Sequence, residues 1–295
     1  MKPLEPDTIA WAVHLACLFE VCADKPGNVT WGKDFWDTRF VDFMASAVAV
    51  GPALRDAPYA PIGETILRAV RDTHQLVGVN TNLGMILLLA PLAKAAGLGH
   101  AQGLRAGVSE VLRALTVDDA RMAFEAIRCA APGGLGRAER YDVHQAEVDI
   151  TLREAMVLAQ SRDTVAREYV TDFEVTFELG YATLRRLWVG GHKFSDSIVQ
   201  TALTILAQVP DTLIARKEGR AVAERVSRQA SQVLQAGGVF SERGREALRK
   251  FDRSIRDERH RLNPGTTADL VAASLFVFLT EGRGLKLFQD LLKRW

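Results

Sequence analysis

Only three cysteines occur in the 295 residues, Cys17, Cys22 and Cys129, and they form neither a CxxC pair nor a disulfide-like pattern. They read as small core residues in a reducing compartment, so the expected location is the cytoplasm. An excess of one charge is also missing, since 37 Lys and Arg stand against 36 Asp and Glu for a net charge of +1. That removes any general attraction to nucleic acid or to an anionic membrane, and a polyanion site would have to be local. No apolar run reaches the roughly 20 residues that a membrane span requires. The two most apolar stretches, LGMILLLAPLAKAAGL (83–98) and LVAASLFVFL (270–279), read instead as central core helices. The opening MKPLEPDTIAW has no basic segment followed by a long apolar run, so no signal peptide is expected.

Several chemistries are absent as well. There is no GxxxxGK[ST] phosphate loop, no HExxH zinc helix and no GxSxG nucleophile elbow. The six histidines are scattered without metal-ligand spacing, and each reads as a packing or surface residue. VDDAR (117–121) lacks the second acidic site of an Asp-rich diphosphate motif. No strand pair, fixed-period repeat or Ser-rich linker is evident.

What is present is helical periodicity nearly everywhere. Apolar residues recur at three- and four-residue spacing near 8–22, 38–54, 62–77, 83–96, 101–114, 117–130, 145–160, 164–188, 195–208, 212–235, 242–260 and 267–280. TVDD (116–119) and TTAD (266–269) match the capping-box spacing. Breaks are expected at 78–84, 131–136, 189–191, 209–212, 236–238 and 262–265, where Gly and Pro cluster. The expected fold is all-α, a single domain over residues 1–295 with about a dozen helices packed around the apolar helix 83–96.

Four polar stretches interrupt these helices. KPGNVTWGKDFWDT (25–38) interleaves Pro26, Gly27 and Gly32 with Lys25, Asn28, Asp37, Trp31 and Trp36. It suits either a ligand loop or a connector whose aromatics cover the core edge. GVNTNLG (78–84) precedes a helix too apolar to face water, so Asn80, Thr81 and Asn82 either meet an anion or simply cap that helix. PDTLIARKEGR (210–220) sets Asp211 at a helix start and Arg216 further along it; RLNPGTTADL (261–270) sets Asn263, Thr266 and Asp269 around a Gly-bearing start. Both could be caps, or could hold phosphate and metal.

Taken in order, Glu20 with KPGNV and Asp37, then GVNTNLG, PDTLIARKEG and NPGTTADL, the chain resembles the triphosphoribosyl-dephospho-coenzyme A synthase family over nearly its whole length. The resemblance implies an ATP-dependent triphosphoribosyl transferase. In it, the 2′-hydroxyl of 3′-dephospho-CoA attacks the ribose anomeric carbon of ATP, adenine departs and the triphosphate is kept. The product is the precursor of an acyl-carrier-protein prosthetic group. Such a reaction needs a base, an acid, and cations around the triphosphate.

Carried over residue by residue, the resemblance implies catalytic roles for Glu20, Asp37 and Asp211, with Glu20 and Asp37 also holding Mg2+. It implies nucleotide and phosphate contacts from Lys25, Gly27, Asn28, Asn80, Thr81, Asn82, Gly84, Arg216, Asn263 and Asp269. The partners are then ATP and dephospho-CoA or a related small acceptor, with no nucleic acid and no membrane. All four loops are expected at one polar pocket.

The chain also departs from the family pattern. Members of the citrate-lyase and malonate-decarboxylase type carry His-Lys pairs within the second motif and just before the Asp of the first. Here those places hold Asn82-Leu83 and Phe35-Trp36, which marks a divergent subfamily and removes potential phosphate donors. Two further readings therefore stand beside the first. One is a related ribosyl or phosphoribosyl transferase in another cofactor pathway, such as one making a pterin- or furan-type one-carbon carrier. The other is a non-catalytic nucleotide-binding homologue.

Overall fold

In the computed structural model, residues 1–132, 148–281 and 285–295 are described. They are all-α as the periodicity predicts, with no strand among them and a single isolated bridge between Thr30 and Lys33. The predicted break at 131–136 and the start of the predicted helix 145–160 lie largely outside the described residues. No single described helix is long and apolar enough to cross a membrane.

The chain divides into two compact units, each assembled from two stretches: Met1–Cys17 with Val41–Glu174, and Leu18–Phe40 with Val175–Trp295. Helix α1 (Pro6–Cys22) carries the first boundary inside it. The first unit contains most of α2 (Phe40–Ala49), then α3 (Gly51–Arg55), α4 (Ile62–Val77), α5 (Leu83–Leu98), α6 (Leu104–Arg113), α7 (Val117–Ala130), α8 (Leu152–Ala159) and α9 (Thr164–Val170). Helix α5 is apolar on every face, and its residues from Leu83 to Ala96 are buried apart from Gly84 and Lys94. It runs unbroken through Pro91 against α4, α6 and α9. The predicted capping box starts α7, where Thr116 Oγ1 accepts from the Asp119 amide and Asp119 accepts from the Thr116 amide. Asp119 also accepts from Gly63 N at 2.8 Å, where α4 comes so close to α7 that only glycine fits.

The second unit contains a π-helical segment (Val175–Tyr181) continuing into α10 (Ala182–Val189), then α11 (Phe194–Gln208), α12 (Thr212–Glu218), α13 (Arg220–Gln235), α14 (Glu242–Ser254), α15 (Gly265–Glu281) and α16 (Leu285–Lys293). Its core helix α15 is buried from Thr266 to Thr280 apart from Asp269, and it packs on α10, α11, α12 and the π segment.

Several expectations need correction, among them the predicted helix 38–54, which is the two helices α2 and α3. The predicted helix 164–188 stops at Val170, because Asp172 and Phe173 take positive φ values of 51° and 59°. The predicted helix 212–235 is two helices joined at Gly219, whose φ is 92°. TTAD is not a capping box, since α15 begins at Gly265 and Thr266–Asp269 lie inside it. Of the cysteines expected in the core, only Cys17 is buried; Cys129 is half-buried and Cys22 exposed. Helix α16 had no counterpart in the periodicity reading.

Candidate active site

The stretch after α1 turns inward before it turns out. Lys25 is wholly buried, and its ammonium lies 2.7 Å from the Glu20 carboxylate, itself 3% exposed. Lys25 Nζ also donates to the carbonyls of Glu20 and Ala23. Burial pushes the Glu20 carboxyl above the ordinary carboxylate range, opposed by the charge of Lys25. These two expected site residues therefore satisfy each other inside the second unit.

Gly27 comes next, at φ 73°, where an added Cβ would meet Ile255 at 2.7 Å and Pro264 at 2.9 Å. Its amide donates to Asp252 Oδ1 at 2.7 Å. Asp252 also accepts from Arg256 Nε and Lys33 Nζ, while Arg256 Nη2 donates to the Asn28 carbonyl. Gly27 and Asn28 are thus locked to the 252–256 segment by their backbones, and Asn28 is buried. The loop then emerges, leaving Trp31 and Trp36 80% and 79% exposed.

Asp37 stands at the outer end of this loop. Its Oδ1 accepts from Thr38 Oγ1 at 3.1 Å, and its Oδ2 lies 3.2 Å from His260 Nε2. The imidazole is stacked face to face on Phe35, with centroids 4.5 Å apart and planes 8° apart. Burial lowers the His260 pKa from its ordinary value, against the opposing charge of Asp37, with Lys217 adding to the lowering. With its proton on Nε2 the ring faces Asp37 as a donor and leaves Nδ1 as the acceptor.

Asp211 has a different environment. Its Oδ1 accepts from the amides of Leu213 and Ile214, capping α12, and its Oδ2 accepts from the amide and hydroxyl of Thr267 in the first turn of α15. One carboxylate, 2% exposed, joins two helix starts. Burial raises its pKa, and those hydrogen bonds oppose the rise. On α12, Arg216 and Lys217 are half-buried. Lys217 Nζ donates to the His260 carbonyl, and burial depresses its pKa against the nearby charges of Asp37 and Asp211. Asn263 is half-buried and its Oδ1 has no hydrogen-bond partner; Asp269 is half-buried on α15.

Three of the four predicted loops, 24–37, 211–217 and 263–269, are thus joined within the second unit by contacts of Gly27, Asp211 and Lys217. The fourth, 78–84, belongs to the first unit. There Asn80 is exposed and its Oδ1 accepts from the Leu83 amide at 3.2 Å. Thr81 Oγ1 is 2.6 Å from Ser46 Oγ. Asn82 is the N-cap residue of α5 but makes no side-chain cap, and its buried Nδ2 is without a partner. Asn80, Asn82 and Leu83 line a small pocket with Val70, Thr73, His74, Val79 and Ala130. Gly84 follows, half-buried in the first turn.

His260, Asp252 and Lys217 were not among the expected site residues. His260 was assigned to a predicted helix 242–260, but α14 ends at Ser254 and His260 sits in the following turns. Among the described residues, no group of three or more His, Cys, Asp or Glu side chains is placed to hold a metal ion.

The family model for ATP:dephospho-CoA triphosphoribosyl transferase, CitG, matches residues 6–286. The chain belongs to this transferase family. It is 27% identical to the 2-(5′′-triphosphoribosyl)-3′-dephosphocoenzyme-A synthase of Klebsiella pneumoniae, over 94% of this chain and 92% of that one. A Pseudomonas fluorescens protein assigned the same name is 28% identical over 82% of this chain and 79% of its own. A crystal structure from Archaeoglobus fulgidus, assigned as a triphosphoribosyl-dephospho-CoA synthase, superposes with a TM-score of 0.63 at 28% identity, covering 81% of this chain and 99% of that one. These relatives bear the name of the first reaction weighed from the sequence, not of the alternative in one-carbon carrier synthesis.

Proposed function

We propose that this chain moves the 5′-triphosphoribosyl group of ATP to the 2′-hydroxyl of 3′-dephospho-CoA and releases adenine. Family membership across residues 6–286 is the observation that carries this reading. The acceptor oxygen forms a bond to the ribose anomeric carbon as the glycosidic C–N bond breaks. The hydroxyl proton must be taken up, and adenine must gain one as it leaves.

Of the three carboxylates expected to act, Asp37 is the one open to solvent, while Glu20 and Asp211 are closed in by their partners. Asp37 therefore takes the hydroxyl proton. Arg216 and Lys217 on α12 supply positive charge for the triphosphate. Asn263 and Asp269 remain part of the proposed nucleotide contact set. Trp31 and Trp36 offer faces for a purine.

Magnesium was expected at Glu20 and Asp37. The Glu20 carboxylate faces Lys25 in the interior, and both oxygens of Asp37 are engaged by His260 and Thr38. Glu20, closed in by Lys25, therefore does not fit a resident magnesium, and among the described residues no group of three or more ligating side chains gathers around Asp37 to hold one. The cytoplasm is the compartment in this reading, in keeping with three cysteines that form no disulfide.

The test is to incubate the purified protein with ATP and 3′-dephospho-CoA and to quantify free adenine by chromatography. Adenine formed only when both substrates are present is the expected result. Adenine released only with a different acceptor, or nucleotide binding without release, would reject it.

A further inference from the structure

We infer that His260 is the positioning residue for Asp37, an inference that rests on Asp37 being the base of the proposed transfer. Four observations converge on it. His260 Nε2 lies 3.2 Å from Asp37 Oδ2, and the ring lies flat on Phe35, which fixes the plane in which that nitrogen faces the carboxylate. The backbone of His260 sits at φ 38°, a left-handed conformation in which Gly or Asn would be easier. That turn is held by three hydrogen bonds: His260 N to the Asp257 carbonyl, and Asn263 N and Lys217 Nζ to the His260 carbonyl. Finally, Nδ1 is buried with no partner, a cost the fold tolerates while the opposite ring nitrogen serves an exposed carboxylate.

A residue needed only to make the turn would not require an imidazole. Strain and an unsatisfied nitrogen that persist around one contact point to that contact as the thing preserved. The chemical consequence is directional. With Oδ2 beside His260 and Oδ1 accepting from Thr38 Oγ1, the plane of the carboxylate is set, and its remaining lone pairs are left for the acceptor hydroxyl. The charged groups around the ring are Asp37 on its own loop, Lys217 on α12 and Asp257 in the turn before it.

The experiment compares His260→Phe, His260→Gln and His260→Asn in the adenine-release assay. Phe keeps the stacking on Phe35 but has no donor. Gln can place its Nε2 where the imidazole donor stood. Asn favours the left-handed turn but is too short to reach Asp37. The expected result is a fall in kcat of about 10- to 100-fold for Phe and Asn with KM for ATP nearly unchanged, and partial recovery for Gln. Combining Asp37→Asn with His260→Phe should lose no more than Asp37→Asn alone. Wild-type kcat in folded His260→Phe or His260→Asn, no recovery in folded Gln, or multiplied losses in the double variant would overturn the proposal. Nitrogen-15 NMR of the histidine rings provides a reading independent of turnover. The Nε2–H form of His260, disturbed in Asp37→Ala, supports the pairing, and an Nδ1–H form sinks it. If the wild type releases no adenine, the transferase reading fails while this NMR result still decides the pairing.

Discussion

The Tyr169 hydroxyl donates to the Leu87 carbonyl at 2.6 Å, and Leu87 is the residue whose helical donor is missing because position 91 is proline. A proline in mid-helix removes the amide that would bond four residues back. Tyr169, wholly buried on α9, supplies that bond from outside the helix, and burial raises its hydroxyl pKa well above the ordinary value, so it stays a donor.

Tyr169→Phe should therefore lower stability by about 1–3 kcal/mol, the cost of leaving a buried acceptor unsatisfied. Pro91→Ala returns an amide to the same carbonyl. In the Pro91→Ala background, Tyr169→Phe should cost measurably less, as read by urea denaturation of all four proteins. Equal costs in both backgrounds would show that the hydroxyl and the proline are not coupled.

The Glu20–Lys25 pair gives a second prediction. Lys25→Met leaves the Glu20 carboxylate buried without its partner, which should cost about 3–5 kcal/mol at pH 7. Because burial already raises the Glu20 pKa, removing the ammonium raises it further. A carboxyl with a raised folded pKa stabilises the fold below its ordinary value of 4.5 and loses that contribution as pH rises through the folded value. The deficit of Lys25→Met against wild type should thus shrink as pH is lowered from 7 toward 5. Glu20→Met with Lys25→Met should recover most of the stability. If that double variant also keeps its KM for ATP, Lys25 makes no phosphate contact.

Asp211 offers a third case. Asp211→Ala removes the cap of α12 and the acceptor for Thr267, and should cost at least about 2 kcal/mol. Asp211→Asn should be nearly as damaging, because its amide group would present a donor either to the Thr267 amide or to those of Leu213 and Ile214. An Asn variant as stable as wild type by thermal melting would contradict the geometry of both caps.

How far these features were legible depends on where their cause lies along the chain. The helices and the TVDD box were readable because periodicity and capping are set by residues three or four apart. The ending of α9 was not, since no Gly or Pro stands at 171–174 and Asp172 and Phe173 adopt left-handed backbone by tertiary packing, Phe173 being fully buried. TTAD illustrates the opposite error. Its spacing suits a capping box, yet the acceptor for Thr267 is Asp211, 56 residues away. The same distance effect hid His260. As a lone histidine its neighbours gave no sign of Asp37, and its approach depends on α14 ending six residues earlier than position 260.

Asp37 carries the last prediction. In Asp37→Asn the side-chain carbonyl can still accept from His260 Nε2–H, so the stack on Phe35 and the loop geometry are retained while the charge and basicity are lost. An exposed side chain with that much conserved should change stability by no more than about 1 kcal/mol. Loss of a base that takes the acceptor proton should lower adenine release by about 100-fold or more. Affinity for ATP, measured by calorimetry, should fall little or even rise, since a negative charge near the nucleotide is removed. A variant that melts early while its folded fraction releases adenine at the wild-type rate would make Asp37 a structural partner of His260, and the loop from Lys25 to Thr38 a connector.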